Sequence, residues 1–207
     1  MIINNILRAV ASSLNSPVIV ILLLLMAATI ALLGTLVVEL FTERRRLKVH
    51  LPALMDALRA GEQTTEECIK QSSLLKTQKA VLTELSRHPD FTPEMRQALA
   101  IRLLEEEKGR FDRRMQPSDL IAKLGPMFGL LGTLIPLGPG LIALGQGDTY
   151  TLSQSLLTAF DTTIAGLISA AVAMLISTAR KGWYDNYMSI LEALAECVLE
   201  VEKERVG

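Results

Sequence analysis

The sequence predicts an all-α membrane protein with three transmembrane helices and long cytoplasmic helical extensions. Two observations carry this. Pro17–Val38 is a run of 22 uncharged residues dominated by Leu, Ile and Val. Further on, Leu124–Gly147 holds 24 uncharged residues between Lys123 and Asp148, and Thr149–Ala179 holds 31 with one charge, Asp161. Each run reaches the about 20 residues that a helix needs to cross the hydrocarbon core of a bilayer. A third observation sets the orientation. Net charge is −1, yet 15 of the 21 Lys and Arg residues lie between Thr42 and Asp119. Such a partition describes a membrane protein with one charged lobe outside the bilayer.

In chain order, residues 1–16 set Ile2, Ile3, Ile6, Leu7 and Val10 on one helical face beside Arg8. They are expected to form an outside-facing amphipathic segment or a frayed terminus. Ser16 followed by Pro17 has the composition of a helix start, so the first transmembrane helix is placed at 17–40. A cleaved signal peptide fits poorly, because the apolar core is too long and positive charges follow it. Those charges include Arg44, Arg45 and Arg46, a topology anchor. By the positive-inside rule they put the lobe and the C-terminus in the cytoplasm and the N-terminus outside.

The cytoplasmic lobe, 41–119, reads as helices throughout. His50–Ala60 is expected to end at Gly61. Thr64 and Glu67 form a capping-box pair opening a helix that runs to Arg87. Pro89–Phe91 is a turn, Thr92–Pro93 caps another helix reaching Met115, and Pro117–Asp119 hands over to the membrane. Glu105–Glu107 and Arg110–Arg114 are expected on solvated faces. The second and third transmembrane helices, 120–145 and 152–180, form a hairpin around a short outside loop, 146–151. Trp183, Tyr184 and Tyr187 follow Arg180 and Lys181 and fit an interfacial aromatic belt. Tyr187, Leu191, Leu194, Val198 and Val201 then continue an apolar stripe along a cytoplasmic tail helix, 181–207. Either the lobe or a neighbouring subunit could cover that stripe.

Several function classes are disfavoured. The chain lacks the basic excess that would suggest nucleic acid as a partner. It has no Gly-rich phosphate loop, no His-Glu zinc spacing and no nucleophile elbow, so no enzyme, cofactor or metal site is expected. Cys68 and Cys197 are isolated and read as reduced thiols with packing roles.

The hairpin carries the informative residues. Gly125, Gly129, Gly132, Pro136 and Gly140 fall three or four apart, leaving one helical face nearly bare backbone. The next helix matches it with Thr163, Gly166, Ala170, Ala173 and Ser177. In lipid, small faces of this kind let helices approach closely. Pro136 and Pro139 are expected to kink the outer half of the second helix. Thr133 is its one hydroxyl residue, available to line a path or to bond the carbonyl one turn back. Thr158, Asp161 and Thr162 add polarity to the third helix. A carboxylate at membrane depth costs about 2.5–3.5 kcal/mol on insertion scales, and by default marks an ion path. The alternative is that Asp161 lies shallower, or accepts hydrogen bonds from Thr162 and neighbouring hydroxyls.

Two of these stretches resemble the MotA/TolQ/ExbB proton-channel family. They are Gly125-Pro126-Met127-Phe128-Gly129-Leu130-Leu131-Gly132-Thr133 and Ala159-Phe160-Asp161-Thr162-Thr163-Ile164-Ala165-Gly166-Leu167. The three-helix outline fits the ExbB/TolQ branch better than the four-helix MotA branch. The resemblance implies a homopentamer in the bacterial inner membrane whose second and third helices wall a central pore. Within that pore it implies a dimer of single-helix ExbD/TolR/MotB-type partner subunits. Ion flow past the partner's aspartate would drive mechanical work. Thr133 and Thr163 match the family's pore-lining threonines. Gly125, Pro126, Gly129, Gly132, Gly166 and Ala170 would form the packed pore wall. Where ExbB- and TolQ-like members carry a glutamate, five residues before the second threonine, this chain has Thr158. Asp161 lies about 60° from Thr158 and about 200° from Thr163 around the helix. It is expected to replace that glutamate from the same flank, between subunits. Proton and sodium both remain open as the ion. The competing reading is a non-conducting oligomeric scaffold that recruits a cytoplasmic or envelope partner.

Overall fold

The computed structural model describes residues 2–43, 54–56, 65–72, 74–87 and 91–206. Its helices are α1 (Ile2–Glu43), α2 (Thr65–Gln71), α3 (Lys76–Ser86), α4 (Pro93–Gly145) and α5 (Thr149–Val206). Three of them, α1, α4 and α5, contain stretches long and apolar enough to cross a membrane. The chain divides into two compact units: Met1–Val37 with Met115–Ala179, and Val38–Arg114 with Arg180–Gly207. The long helices α4 and α5 contribute to both.

In the first unit, α4 and α5 form the hairpin. α4 ends in a Schellman arrangement: Asp148 N–H donates to the Ala143 carbonyl (2.9 Å) and Gly147 N–H to the Leu144 carbonyl (3.0 Å). Gly147 takes φ 81°, a left-handed conformation that glycine adopts without strain. Asp148 then caps α5, accepting from the Thr151 N–H at 3.0 Å. The Thr151 hydroxyl, followed by that N–H, holds the Asp148 carboxyl below its usual range. α1 buries Val18, Leu22 and Thr29 along one stripe, while Leu24, Ile30 and Val38 are exposed. Met127, Leu130, Phe160, Met174 and Leu175 of the hairpin are exposed as well, an apolar surface that suits lipid or other membrane helices.

Several helix boundaries differ from expectation. α1 is continuous through Ser16 and Pro17, so that pair does not start a helix. α4 likewise runs unbroken through Pro117, Pro126, Pro136 and Pro139, with no handover at 117–119. A proline inside a helix removes one donor and crowds the preceding turn. Ending the helix at membrane depth would strand more main-chain groups in lipid. The expected single helix up to Arg87 is two. α2 closes where the Ser72 hydroxyl takes the Ile69 carbonyl (2.6 Å). α3 opens where the Gln78 side chain accepts from the Leu75 N–H (3.2 Å). Thr64, Arg44, Arg45 and Arg46 lie outside the described residues.

The second unit has a large-side-chain core. Ile69, Leu82, Leu191, Leu194 and Val198 are almost completely buried. The tail stripe therefore finds its cover within the same chain, and fully burying each such side chain is worth about 1.5–3 kcal/mol. Tyr184 and Tyr187 are also core residues, 6% and 4% exposed, which corrects their expected place in an aromatic belt. Their rings pack on Phe111 at centroid distances of 4.3 and 5.2 Å, and the Tyr187 hydroxyl meets that of Thr77 at 2.9 Å. Burial, then the negative charges of Asp112, Asp185, Glu107 and Glu192, pushes the Tyr184 phenol up to about 12. Glu107 is a further correction. It is buried rather than solvated, and its carboxylate accepts from Arg110 at 3.4 Å. Arg180 at the start of this unit's tail pairs with Glu39 of α1 at 3.0 Å. Neither cysteine is in a disulfide, and Cys197 is buried.

Candidate functional site

The seam between α4 and α5 is built on missing side chains. A Cβ on Gly125 would stand 2.7 Å from the Gly166 carbonyl oxygen and 2.9 Å from the Ala170 Cβ. One on Gly132 would stand 2.6 Å from the Thr162 Cβ, and one on Gly166 only 2.9 Å from the Gly129 Cα. Near the turn, Gly140 meets Ser155 and Leu152 in the same manner. The spacing of small residues thus brings the two backbones into direct contact within one chain.

That seam fixes where the polar side chains point. Gly132 and Thr162 face each other across it. Thr133 is one step past Gly132, and Thr163 one step past Thr162, about 100° around each helix. Successive residues turn in the same sense about each helix axis, but the two helices run antiparallel and meet face to face. Both single steps therefore carry the side chain to the same flank of the hairpin. Asp161, one step before Thr162, goes to the opposite flank, with Thr158 about 60° from it. Thr133 lies 12 residues before the end of α4 and Thr163 lies 14 residues after the start of α5. At ~1.5 Å per residue the two threonines are at nearly the same depth.

Each of these hydroxyls donates its proton to its own helix. Thr133 bonds the Leu130 carbonyl (2.7 Å), Thr163 the Ala159 carbonyl (2.9 Å) and Thr158 the Gln154 carbonyl (3.0 Å). With its proton so placed, a hydroxyl oxygen keeps lone pairs for an incoming donor or cation. Thr133 and Thr163 are half-buried, and Asp161 is exposed on this single chain. Thr162 is buried and donates to the carbonyls of Thr158 (2.9 Å) and Ala159 (3.0 Å). None of the hydroxyls of Thr158, Thr162 and Thr163 donates to Asp161, contrary to the hydrogen-bonded alternative. A bare carboxylate at this depth requires water, or another protein surface, beside it.

Gly125, Gly129, Gly132, Gly166 and Ala170 thus gather in the seam, whereas Pro126 is exposed next to it. One pairing was not anticipated. The Ser177 hydroxyl donates to the Asp119 carboxylate, linking the two helices at the end remote from the turn. The matching offset of both residues from the seam was the available signal. Among the described residues no group of three or more His, Cys, Asp or Glu side chains gathers to hold a metal.

The profile of the MotA/TolQ/ExbB proton channel family matches residues 75–193. The chain is also similar to Biopolymer transport protein exbB1 of Vibrio cholerae serotype O1 (strain ATCC 39315 / El Tor Inaba N16961). The two are 31% identical over 116 residues, 52% of this chain and 49% of that protein. The chain therefore spans about half the length of this relative.

Proposed function

Because the chain belongs to the MotA/TolQ/ExbB proton channel family, we propose that it is the pore-forming subunit of an ion-driven membrane motor. It would act as a homopentamer in the inner membrane, with the N-terminus outside and the lobe and C-terminus in the cytoplasm. A single-span partner dimer of the ExbD/TolR/MotB type would occupy the pore and convert ion flow into mechanical work. The role is conduction and coupling, with no enzymatic step.

The observation that supports this reading most strongly is the shared flank of Thr133 and Thr163, at one depth, with hydroxyl oxygens available as acceptors. Two such oxygens can coordinate a sodium ion or relay a proton through water beside a partner carboxylate. Asp161 on the other flank faces the neighbouring subunit in this reading and takes the place of the family's glutamate. Its charge supplies an ion site that a purely adhesive seam would not need.

The test is ion flux in host cells carrying the natural partner, read with a cytoplasmic pH or sodium indicator. Thr133→Ala with Thr163→Ala is expected to abolish flux while the oligomer still assembles, and Asp161→Asn to reduce it strongly. Unchanged flux in the double variant would leave the scaffold reading in its place. Unchanged flux in Asp161→Asn alone would make Asp161 structural.

A further inference from the structure

The threonine flank carries a second polar pair. Ser177 of α5 donates to the carboxylate of Asp119 of α4, across the seam. Both are half-buried, and each follows a fully buried seam neighbour, Ile176 and Ser118. This is the same single step by which Thr163 follows Thr162 and Thr133 follows Gly132, so all four side chains share one flank. The spacing agrees as well: 133 − 119 and 177 − 163 are both 14 residues. That is two heptads, or about 21 Å of helix. Between the pairs, Ala122, Pro126 and Leu130 of α4 and Leu167 and Met174 of α5 are uncharged, and the nearest charge is Lys123, one turn on from Asp119 and about 40° from it around α4.

A latch between the ends of two helices requires only a neutral hydrogen bond. A half-buried carboxylate costs more to desolvate than a hydroxyl or amide. Moreover, a carboxylate offers about four acceptor positions, and Ser177 occupies one. The remaining acceptor capacity lies on the threonine flank, about 21 Å from the threonine level on the side away from the α4–α5 turn.

We propose that Asp119 is the inner-mouth station of the ion path, taking up a proton or sodium ion from the threonine level and passing it to the cytoplasm. Ser177 is a positioning residue that fixes one carboxylate oxygen. For a proton, hydrated proton on the pore side forms an O–H bond with the free carboxylate oxygen. Water on the cytoplasmic side then takes that proton, returning the carboxylate to its charge. The proposal rests on the threonine flank being the conducting one.

The experiment compares D119N with D119E in the same flux assay, with membrane level and oligomer size followed on native gels. Asn keeps the acceptor for Ser177 but loses the charge, whereas Glu keeps the charge and disturbs the hydrogen bond. The ion station predicts at least a tenfold loss of flux in D119N with the oligomer retained, and partial recovery in D119E. A latch predicts the reverse order, with D119N close to the parent. Loss of D119N from the membrane, or flux in D119N equal to the parent, would overturn the proposal. The Thr133→Ala, Thr163→Ala variant separates the two layers. If it abolishes flux while D119N does not, only the inner station falls. If it too leaves flux intact, the conducting flank itself is wrong.

Discussion

The same two helices, α4 and α5, pack by opposite means in the two units they traverse. In the lobe, α5 presents Tyr184, Tyr187, Leu191, Leu194 and Val198, all buried. In the membrane hairpin, contact is made by Gly125, Gly129, Gly132 and Gly166, with Cβ clearances of 3.6 Å or less. The contrast follows from solvent. In water, large apolar side chains gain free energy by leaving it, so area drives the contact. In lipid that gain vanishes, and close backbone approach supplies the packing instead. A seam without side chains then leaves its flanks for Thr133, Thr163 and Asp161.

Substitutions that trade one packing mode for the other should have effects of graded size. Leu191→Ala empties a fully buried lobe position and is expected to cost about 2–5 kcal/mol, measured by thermal or denaturant unfolding of the purified protein in lipid nanodiscs. Gly166→Ala adds a methyl 2.5 Å from the Gly125 carbonyl oxygen, where the neighbour is backbone and cannot rotate away. Overpacking of this kind costs about 1–3 kcal/mol, and the loss should appear as weaker hairpin packing in hydrogen exchange of residues 120–145. Gly109→Ala is the counterpart in the lobe section of α4, where a Cβ meets nothing within 4 Å. There the same substitution should stabilise, by about 0.8–1 kcal/mol from helix propensity. Two Gly→Ala changes on one helix would thus have opposite signs.

A smaller effect concerns pH. The Tyr184 phenol is raised from 10.0 to about 12 in the folded chain. Above pH 10 the unfolded chain loses this proton while the folded chain retains it, so the stabilisation present below 10 is lost as pH rises toward 12. Tyr184→Phe should therefore flatten the alkaline limb of the stability profile between those values. An unchanged limb would assign it to other groups.

Much of this was legible in residue order. Uncharged runs located the three spans, and glycines three or four apart marked the seam. The sequence motifs also pointed to Thr133 and Thr163, whose place in the ion path is a proposal. Less legible were features decided by distant neighbours. Tyr184 and Tyr187 suit a membrane interface or a core equally, since each ring is apolar with a polar tip. Phe111, more than seventy positions away, is what makes them core. Ser16–Pro17 and Pro117 looked like boundaries because local rules for proline ignore the cost of ending a helix at the membrane. The break between α2 and α3 turns on Ser72 and Gln78 competing with main-chain partners, a choice that composition leaves undetermined. The Asp119–Ser177 bond joins residues 58 apart, and only the antiparallel seam brings them together.

The proposed conducting path runs along the flank bearing Thr133 and Thr163. Its most direct test is block of ion flux by a thiol-reactive cation in single variants T133C, T163C and L134C, the last two steps past Gly132 and so on the back of α4. A path along this flank gives rapid block at 133 and 163 and none at 134. Equal block at all three, or block at 134 alone, would contradict it.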